Sequence, residues 1–254
     1  MKDEEWAFFE PFLTGRSEQG GRPPRDHRRV LDAVFWIART GAPWRDLPEE
    51  FDNWKFGLVT IPTMEPIGRL GRAAAGLGRY GRRCRSAAND RQHHHPGTSL
   101  CSRRKGGTQN QALGRSRGGF STKIHARANA LGLPIGLILS PGEAHDLTGY
   151  PDLMEERDSD PGAMLGDKGY DSDPVRQDLR DRGTTPEIPT KRSRKVQYSV
   201  DGPLYALRAR IECFFSKLKN NRRIATRYDQ TSTSFLGFVL LGCIRIWIRF
   251  VHVA

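Results

Sequence analysis

The chain has 254 residues, enough to bury one catalytic domain of up to about 200 residues together with a small accessory domain. Its 41 Lys and Arg residues against 29 Asp and Glu give a net charge of +12, which indicates a polyanionic partner. An acidic start, MKDEEW, and four cysteines without a C-x-x-C pair argue against a signal peptide, a disulfide framework and a zinc knuckle, and favour an intracellular protein.

The first predicted elements are helical. Residues 24–40, PRDHRRVLDAVFWIART, repeat apolar residues at helical spacing, with Asp26 as the N-cap and Gly41 as the stop. A Gly/Pro turn with basic residues separates this helix from an earlier apolar cluster. We therefore expect residues 1–54 to form a small helical, helix-turn-helix-like domain that binds DNA through Arg25, Arg28 and Arg29. A solvated helix end is an equally good interpretation of these arginines.

The composition changes over residues 55–104. The stretch from 55 to 107 holds eleven Lys or Arg and two acids, so most of the net charge is concentrated there. Neither a helical nor an alternating apolar period is sustained, and a structureless loop of ~50 residues is improbable inside a compact domain. We expect a disordered basic linker or a segment that was never selected to fold. Three consecutive histidines, 93–95, are a weak candidate metal site, because adjacent side chains do not converge.

From residue 105 the pattern becomes orderly. TKIHARANALGLPIGLILSPG predicts two strands joined by a turn at 129–132. GAMLGDKGYDSDPVRQDLRDRG predicts a short buried strand, an acidic turn and a helix, and TTPEIPTKRSRK predicts a further strand that runs into a basic loop. This succession predicts a mixed α/β domain over residues 105–254.

One further helix is predicted over residues 203–223, PLYALRARIECFFSKLKNNRR. Leucine, isoleucine and phenylalanine repeat at helical spacing and define a buried face. Beside that face, Tyr205, Arg208, Glu212 and Lys219 fall within an arc of about 60° at roughly 100° per residue. Such a stripe is more often a solvated face with i, i+4 ion pairs than a functional site.

The same four residues carry a resemblance. The spacing Tyr205, two residues, Arg208, three residues, Glu212, six residues, Lys219 resembles the Y-R-E-K signature of insertion-sequence transposases of the DDE class. KGGTQNQALGRSRGGFSTKIHARANALGLPIG, SPGEAHD and LGDKGYDSD are similar to successive blocks of that catalytic domain, and GAPWRDLPEEFDNW to the end of its N-terminal domain. The resemblance implies a ribonuclease-H-like catalytic domain, a mixed sheet flanked by helices.

The resemblance also implies roles for individual residues. Asp167 would be the second catalytic acid and Glu212 the third, holding two Mg²⁺ or Mn²⁺ ions for phosphoryl transfer at the terminal inverted repeats of the element. Arg208 and Lys219 would contact DNA phosphates, and Tyr205 would position the DNA end. A basic loop is a candidate clamp on the DNA backbone, with a solvated loop as the alternative; it contains Lys191, Arg192, Arg194 and Lys195.

The first acid of the family, a D-S-T triplet after a strand, is missing. Read one nucleotide out of register, the codons for RQHHHPGT permit Asp-Ser-Thr-Ile-Ile-Arg-Ala, and those for TMEPIG permit Arg-Trp-Ser-Arg-Leu, both family-like. We infer that residues 55–104 are translated out of frame between two compensating indels. Asp90, one residue from the latent aspartate codon, is a weak candidate substitute.

The sequence therefore predicts an insertion-sequence transposase that is catalytically defective in this translation, with a non-catalytic DNA-binding protein as the alternative. Expected partners are the element's terminal inverted repeats and target DNA, with a homodimer assembled on DNA. The expected location is the cytoplasm, associated with the nucleoid. The apolar tail SFLGFVLLGCIRIWIRFVHVA is expected to pack on the domain rather than cross a membrane, because Arg245 and Arg249 are costly in lipid.

Overall fold

The computed structural model describes residues 1–12, 26–51, 87–96, 111–155 and 160–253, with the backbone alone at 12, 87–96, 252 and 253. Within these ranges six strands form one mixed sheet. β1 is antiparallel to β3 and parallel to β5, β5 is parallel to β6, and β3 also pairs with β2 and β4. The strands are β1 Ala87–Pro96, β2 Gly114–Ser116, β3 Gly119–Ala128, β4 Pro134–Pro141, β5 Ala163–Leu165 and β6 Thr185–Glu187.

Eight helices flank this sheet within the described ranges. Their bounds are α1 Asp3–Phe9, α2 His27–Thr40, α3 Tyr150–Glu155, α4 Asp173–Asp181, α5 Gly202–Ala206, α6 Ala209–Lys219, α7 Arg222–Ala225 and α8 Ser232–Val253. The strand pair around residues 129–132 and the strand, turn and helix of residues 163–181 form as the sequence predicts. A mixed α/β fold is thus confirmed.

The continuous helix predicted over residues 203–223 is wrong, because the chain forms three helices there. Between α5 and α6 the backbone hydrogen bonds span three residues instead of the four of an α-helix. Arg208 N donates to the Tyr205 carbonyl, and Ile211 N donates to the Arg208 carbonyl. Leu204 and Leu207 pack beside Leu165, whereas Ile211 and the apolar residues after it belong to the main core. The two halves thus cover different parts of the sheet, and this packing outweighs helix propensity.

Strand β1 corrects the expectation that residues 55–104 lack structure throughout. Residues 87–96 form the strand between β3 and β5, and the other residues of that segment lie outside the described ranges. Both neighbours present backbone N–H and C=O groups that need partners. Any extended backbone satisfies them, whatever its side chains are, which explains a strand in a sequence without apolar alternation.

The N-terminal helices share a core with the C-terminal ones. Asp26 caps α2 by accepting from the backbone N–H groups of Arg28 and Arg29, and Gly41 ends the helix with φ of 70°, as predicted. The buried face of α2 packs in the same cluster as α6 and α8. Residues 13–25, the turn of the expected helix-turn-helix arrangement, lie outside the described ranges, and the domain division at residue 54 stays a prediction.

Helix α8 passes through the main core, as expected of the apolar tail. By length and composition it is the one helix among the described residues that is apolar enough to cross a membrane, but much of its surface is buried by the rest of the chain. Arg245 projects from it to Glu5 in α1, with Nε to Oε1 at 3.0 Å. Burial raises the pKa of Glu5, but the hydrogen bond and charge of Arg245 outweigh burial and lower it.

A buried arginine ties three chain segments together. The Arg227 side chain is fully buried and donates to the Thr122 hydroxyl at 2.6 Å, to the Asp229 carbonyl at 2.9 Å and to the Ala112 carbonyl at 3.2 Å. Its guanidinium also lies 5.3 Å from the ring centroid of Phe235. Burying a cation is unfavourable unless its donors are satisfied, and these acceptors satisfy them.

We expect Arg227→Met to lower the free energy of unfolding by about 3 kcal/mol, because several buried acceptors lose their charged donor. Chemical denaturation monitored by circular dichroism measures this change. Lys217→Met, on the exposed side of α6, is the matched control and should change stability by less than about 0.5 kcal/mol. Equal effects of the two variants would contradict the role of Arg227.

Candidate active site

Asp167 lies directly after strand β5, where the chain turns into a short 3-10 helix, Lys168–Tyr170. Its backbone is extended, and its Oδ1 accepts from the backbone N–H of Gly169 at 2.8 Å. Tyr170 is fully buried and anchors the turn from the other side. The carboxylate is therefore held by its own turn at the end of a central strand.

A second carboxylate, which the sequence analysis did not single out, lies beside Asp167. A Cβ atom on Gly169 would lie 2.8 Å from Asp167 Oδ1 and 2.9 Å from Asp146 Oδ2, so the two oxygens are at most 5.7 Å apart. The buried Lys123 ammonium donates to Asp146 Oδ1 at 2.8 Å and offsets the repulsion between the two acids. In the sequence, the glycine of DKGY was the available signal for this pair, because a residue without a Cβ atom leaves room for two carboxylates.

The stripe on α5 and α6 is paired within itself. Arg208 Nη2 donates to Glu212 Oε1 at 2.9 Å, and the Arg208 guanidinium lies 5.6 Å from the ring centroid of Tyr205. The Glu212 side chain is 42% exposed, so the carboxylate is accessible to a ligand. Lys219 lies two turns further along α6, half-buried. The ion pair therefore fits both interpretations of the stripe, solvated face and functional site.

The segments that carry Asp167 and Glu212 meet in one apolar cluster. Leu165, two residues before Asp167, packs with Leu204 and Leu207, which immediately precede the helix that carries Glu212. The end of β5 and the start of α6 are therefore neighbours in the fold.

The register of β1 locates position 91, under which the latent aspartate codon lies. Asn89 pairs with Leu165, the last residue of β5, so position 91 lies two residues further along, toward the turn that carries Asp167. Arg91 also pairs with Ala126, a core residue on the side of α6. Cross-strand partners share a face. Position 91 is therefore on the α6 face of the sheet.

Position 90 lies on the opposite face. Asp90 pairs with Arg127, whose Nη1 lies 3.8 Å from the Met154 sulfur of α3. A backbone position on the α3 side does not bring an acid to the face of α6. The proposal that Asp90 replaces the missing acid therefore has no support in the strand register.

The donor groups do not fit a pair of divalent ions. Within the described ranges no three His, Cys, Asp or Glu residues are grouped closely enough to hold a metal ion. Position 91 carries an arginine, a cation that offers no ligand to a metal. The histidines at 93–95 are consecutive positions of β1 that pair with Ile124, Lys123 and Thr122. Adjacent positions of a strand alternate between faces, which gives no common site for the three histidines.

The basic loop after β6 is held by a buried acid. The Asp171 side chain has no exposed surface, accepts the backbone N–H of Lys191 at 2.7 Å, and binds both Arg176 and Arg194. Arg194 also binds Asp173. The structure uses Arg194 and the Lys191 backbone to fix the loop. Arg192 and Lys195 are exposed.

Tyr198 completes this anchor. Its ring centroid lies 4.4 Å from the Arg176 guanidinium, and two further arginines lie within 6 Å of it. Burial raises the pKa of Asp171, but the Lys191 backbone hydrogen bond and the charges of Arg176 and Arg194 outweigh burial and lower it. The loop therefore has a defined conformation.

The predicted DNA-contacting arginines of the N-terminal region have different surroundings. Arg28 binds Asp3 at 2.5 Å and also the Met1 carbonyl, so it joins α1 to α2. Arg29 is exposed and lies 3.9 Å from Asp26. Arg25 lies outside the described residues.

Two family models match the chain. Residues 1–56 match a family described as putative transposase of the IS4/5 family, and residues 89–247 match a family described as transposase DDE domain. The second match covers more than half of the chain and begins within strand β1. It thus contains positions 91, 167 and 212.

Individual relatives agree with these matches. A putative transposase for insertion sequence element IS6501 from Brucella ovis is 38% identical over 131 residues, which are 51% of this chain and 100% of the relative. A putative transposase for insertion sequence element IS402 from Burkholderia cepacia is 26% identical over 177 residues, covering 63% of this chain and 82% of the relative.

A solved structure shares the fold. A piggyBac transposase synaptic complex with hairpin DNA superposes with a TM-score of 0.50 at 11% sequence identity, covering 96% of this chain and 70% of that chain. At this identity the likeness concerns the fold alone. The catalytic fold is ribonuclease-H-like, as the sequence predicts.

We expect Asp171→Asn to lower stability at pH 7 by about 3 kcal/mol, because it breaks a buried ion pair. A lowered folded-state pKa means that the wild-type carboxylate stabilises the fold above its ordinary value of 3.8, and that this contribution is lost as pH falls below it. Unfolding free energies measured from pH 7 to pH 2 should therefore fall less steeply for the variant below pH 4. Parallel curves would contradict this origin of the acid sensitivity.

Proposed function

The chain belongs to the DDE-domain transposases of insertion sequences, and from this membership we propose that it binds the DNA of its element but does not carry out strand transfer. DNA is the partner of the family, whose members depend on divalent metal ions. The single observation that carries the proposal is the β1 register, in which Asn89 pairs with Leu165 and Arg91 with Ala126, so that position 91 lies on the α6 face toward the turn that carries Asp167.

Electrostatics supports a catalytic defect. A carboxylate at position 91 would add one negative charge and two oxygen ligands to the α6 face, near the end of β5 that leads to Asp167. Arginine supplies a positive charge and only donors. Mutating one residue that hydrogen-bonds to a metal ligand commonly lowers metal affinity or activity 10- to 100-fold. The loss of a ligand itself should lower them further.

We propose Asp167 and Glu212 as the second and third acids of the site. The turn at Gly169 fixes the rotamer of Asp167, and Arg208 orients Glu212. In a chain with the first acid restored, the carboxylate oxygens would suit Mg²⁺ or Mn²⁺, hard cations that prefer such ligands. In the present chain the same two acids lack the third member of the set.

DNA contacts are proposed from the family signature and from exposure. Tyr205, Arg208 and Lys219, the residues of the signature around Glu212, form the proposed contact with the DNA end. Arg192 and Lys195 are the exposed cations of a loop that Asp171 already orders. Binding of phosphates by these two residues therefore carries no further entropic cost of ordering the loop. Arg29, with Arg25 before it, is the proposed contact of the N-terminal region.

The finer assignments follow from the family. We propose that the bound DNA is the terminal inverted repeats of the element together with target DNA, that two copies assemble on it, and that the chain is found with the nucleoid in the cytoplasm. Sedimentation of the chain with and without a duplex that carries the repeats tests the pairing of copies.

We predict that this chain cleaves a duplex carrying the element's terminal repeats at least about 100-fold more slowly, with Mg²⁺ or Mn²⁺, than the same chain with the frame of codons 55–104 restored. Gel analysis of end-labelled DNA measures both rates. Asp167→Asn in the restored chain is the control and should abolish the regained cleavage. Cleavage by the present chain at the restored rate would refute the proposed defect.

DNA binding itself should persist and depend on salt. We expect Arg192→Ala and Lys195→Ala each to reduce the slope of log K against log salt by about 0.9, the contribution of one phosphate contact. Fluorescence anisotropy at several salt concentrations measures the slope. Arg249→Ala, an exposed arginine near the end of α8, is the matched control. An equal reduction by the control would mean that the loop has no special role.

A further inference from the structure

A second loop is built on buried arginines and presents an aromatic ring to solvent. The loop lies between α7 and α8. Arg223, in α7, binds Asp229 of this loop through Nε at 3.1 Å and Nη2 at 2.9 Å, and donates to the Ala42 carbonyl at 3.4 Å. Arg227, also buried, holds the same loop through the Asp229 carbonyl. These bonds fix residues 226–230 against both the sheet and the end of α2.

Tyr228 lies in this loop, and its side chain is not covered by these bonds. Its side chain is 40% exposed, and its ring centroid lies 6.0 Å from the Arg223 guanidinium. A Cβ atom on Gly41 would lie 3.4 Å from Tyr228 Cε2 and 3.2 Å from the Arg222 Cβ atom, so the glycine that ends α2 lets both side chains lie against it. The ring therefore packs near Gly41 and remains partly exposed to solvent.

Exposed cations occur on the two segments that meet at Gly41. Arg222 immediately precedes the buried Arg223, and Arg39 lies in the last turn of α2, two residues before Gly41; both are exposed. We define the Tyr228 surface as Arg39, Arg222 and Tyr228. It lies where the N-terminal helices meet the catalytic domain.

A partly exposed aromatic ring, with exposed arginines on the two segments that meet at Gly41, matches the chemistry of nucleic acid. Phosphates pair with arginine, and any base can stack on the ring because every base has a π face. Bases inside a duplex are already stacked on each other, so the ring can accept only an unpaired base. We propose that the Tyr228 surface binds an unpaired base at a DNA end, with Arg222 and Arg39 on the adjoining phosphates.

This proposal rests on DNA being the partner of the chain, and the test separates the two. Fluorescence anisotropy compares a blunt duplex of arbitrary sequence with the same duplex carrying a short single-stranded overhang. The present chain should bind the overhang duplex more tightly. Binding of neither duplex would contradict the proposed DNA-binding function, whereas equal binding of both would overturn the Tyr228 proposal alone.

Substitutions at Tyr228 test the ring itself. Tyr228→Leu keeps apolar contact with Gly41 but removes the π face, and should weaken overhang binding by about 5- to 100-fold while leaving blunt-duplex binding unchanged. Tyr228→Phe should keep the preference. Phe250→Leu, at another exposed aromatic residue with 39% exposure on α8, is the matched control and should have no effect.

Arg222→Glu gives a second reading at an exposed side chain. It should weaken overhang binding about tenfold or more at low salt and lose this effect as salt rises. Retention of the overhang preference by Tyr228→Leu, an equal loss in Phe250→Leu, or no effect of Arg222→Glu would each overturn the proposal.

Discussion

The placement of the candidate site depends on the backbone pairing of β1 with β3 and β5. These hydrogen bonds join main-chain groups, so they are indifferent to the side chains that the strand carries. Strand β1 can therefore complete the sheet although its sequence shows no apolar alternation. Backbone pairing does not select the side chain at each register position. The pairing preserves the geometry of position 91, while the sequence puts arginine there.

Several of the chain's basic residues serve the fold rather than DNA. Arg176, Arg223 and Arg227 are buried, and each is satisfied by carboxylate, carbonyl or hydroxyl oxygens. In each case the arginine fixes a loop, and the exposed residues of that loop are the ones free to meet a ligand. A net charge of +12 thus overstates the DNA-binding surface, and burial decides which cations belong to it.

Local patterns predicted the elements whose signals are local. The cap at Asp26, the stop at Gly41 and the turn after β3 were all readable, because each depends on a few neighbouring residues. The break between α5 and α6 was not, because it arises from packing on distant strands. For the site, Asp167 and Glu212 are proposed from their resemblance to family motifs. Asp146 was missed, since only the folded chain brings it to Gly169.

The face on which a residue lies decides whether an acid can act in the site, and proximity along the chain does not. Asp90 is adjacent to position 91, yet alternation along β1 puts it on the α3 side, away from α6. A one-residue shift along a strand moves a side chain to the opposite face of the sheet, so an acid at position 90 contributes nothing on the α6 face. For the same reason a compensating mutation would have to fall on the α6 face. Under the proposed function, a chain that keeps its DNA-binding surfaces without that acid would occupy element ends in proportion to its share of the transposase present, and would compete with intact copies.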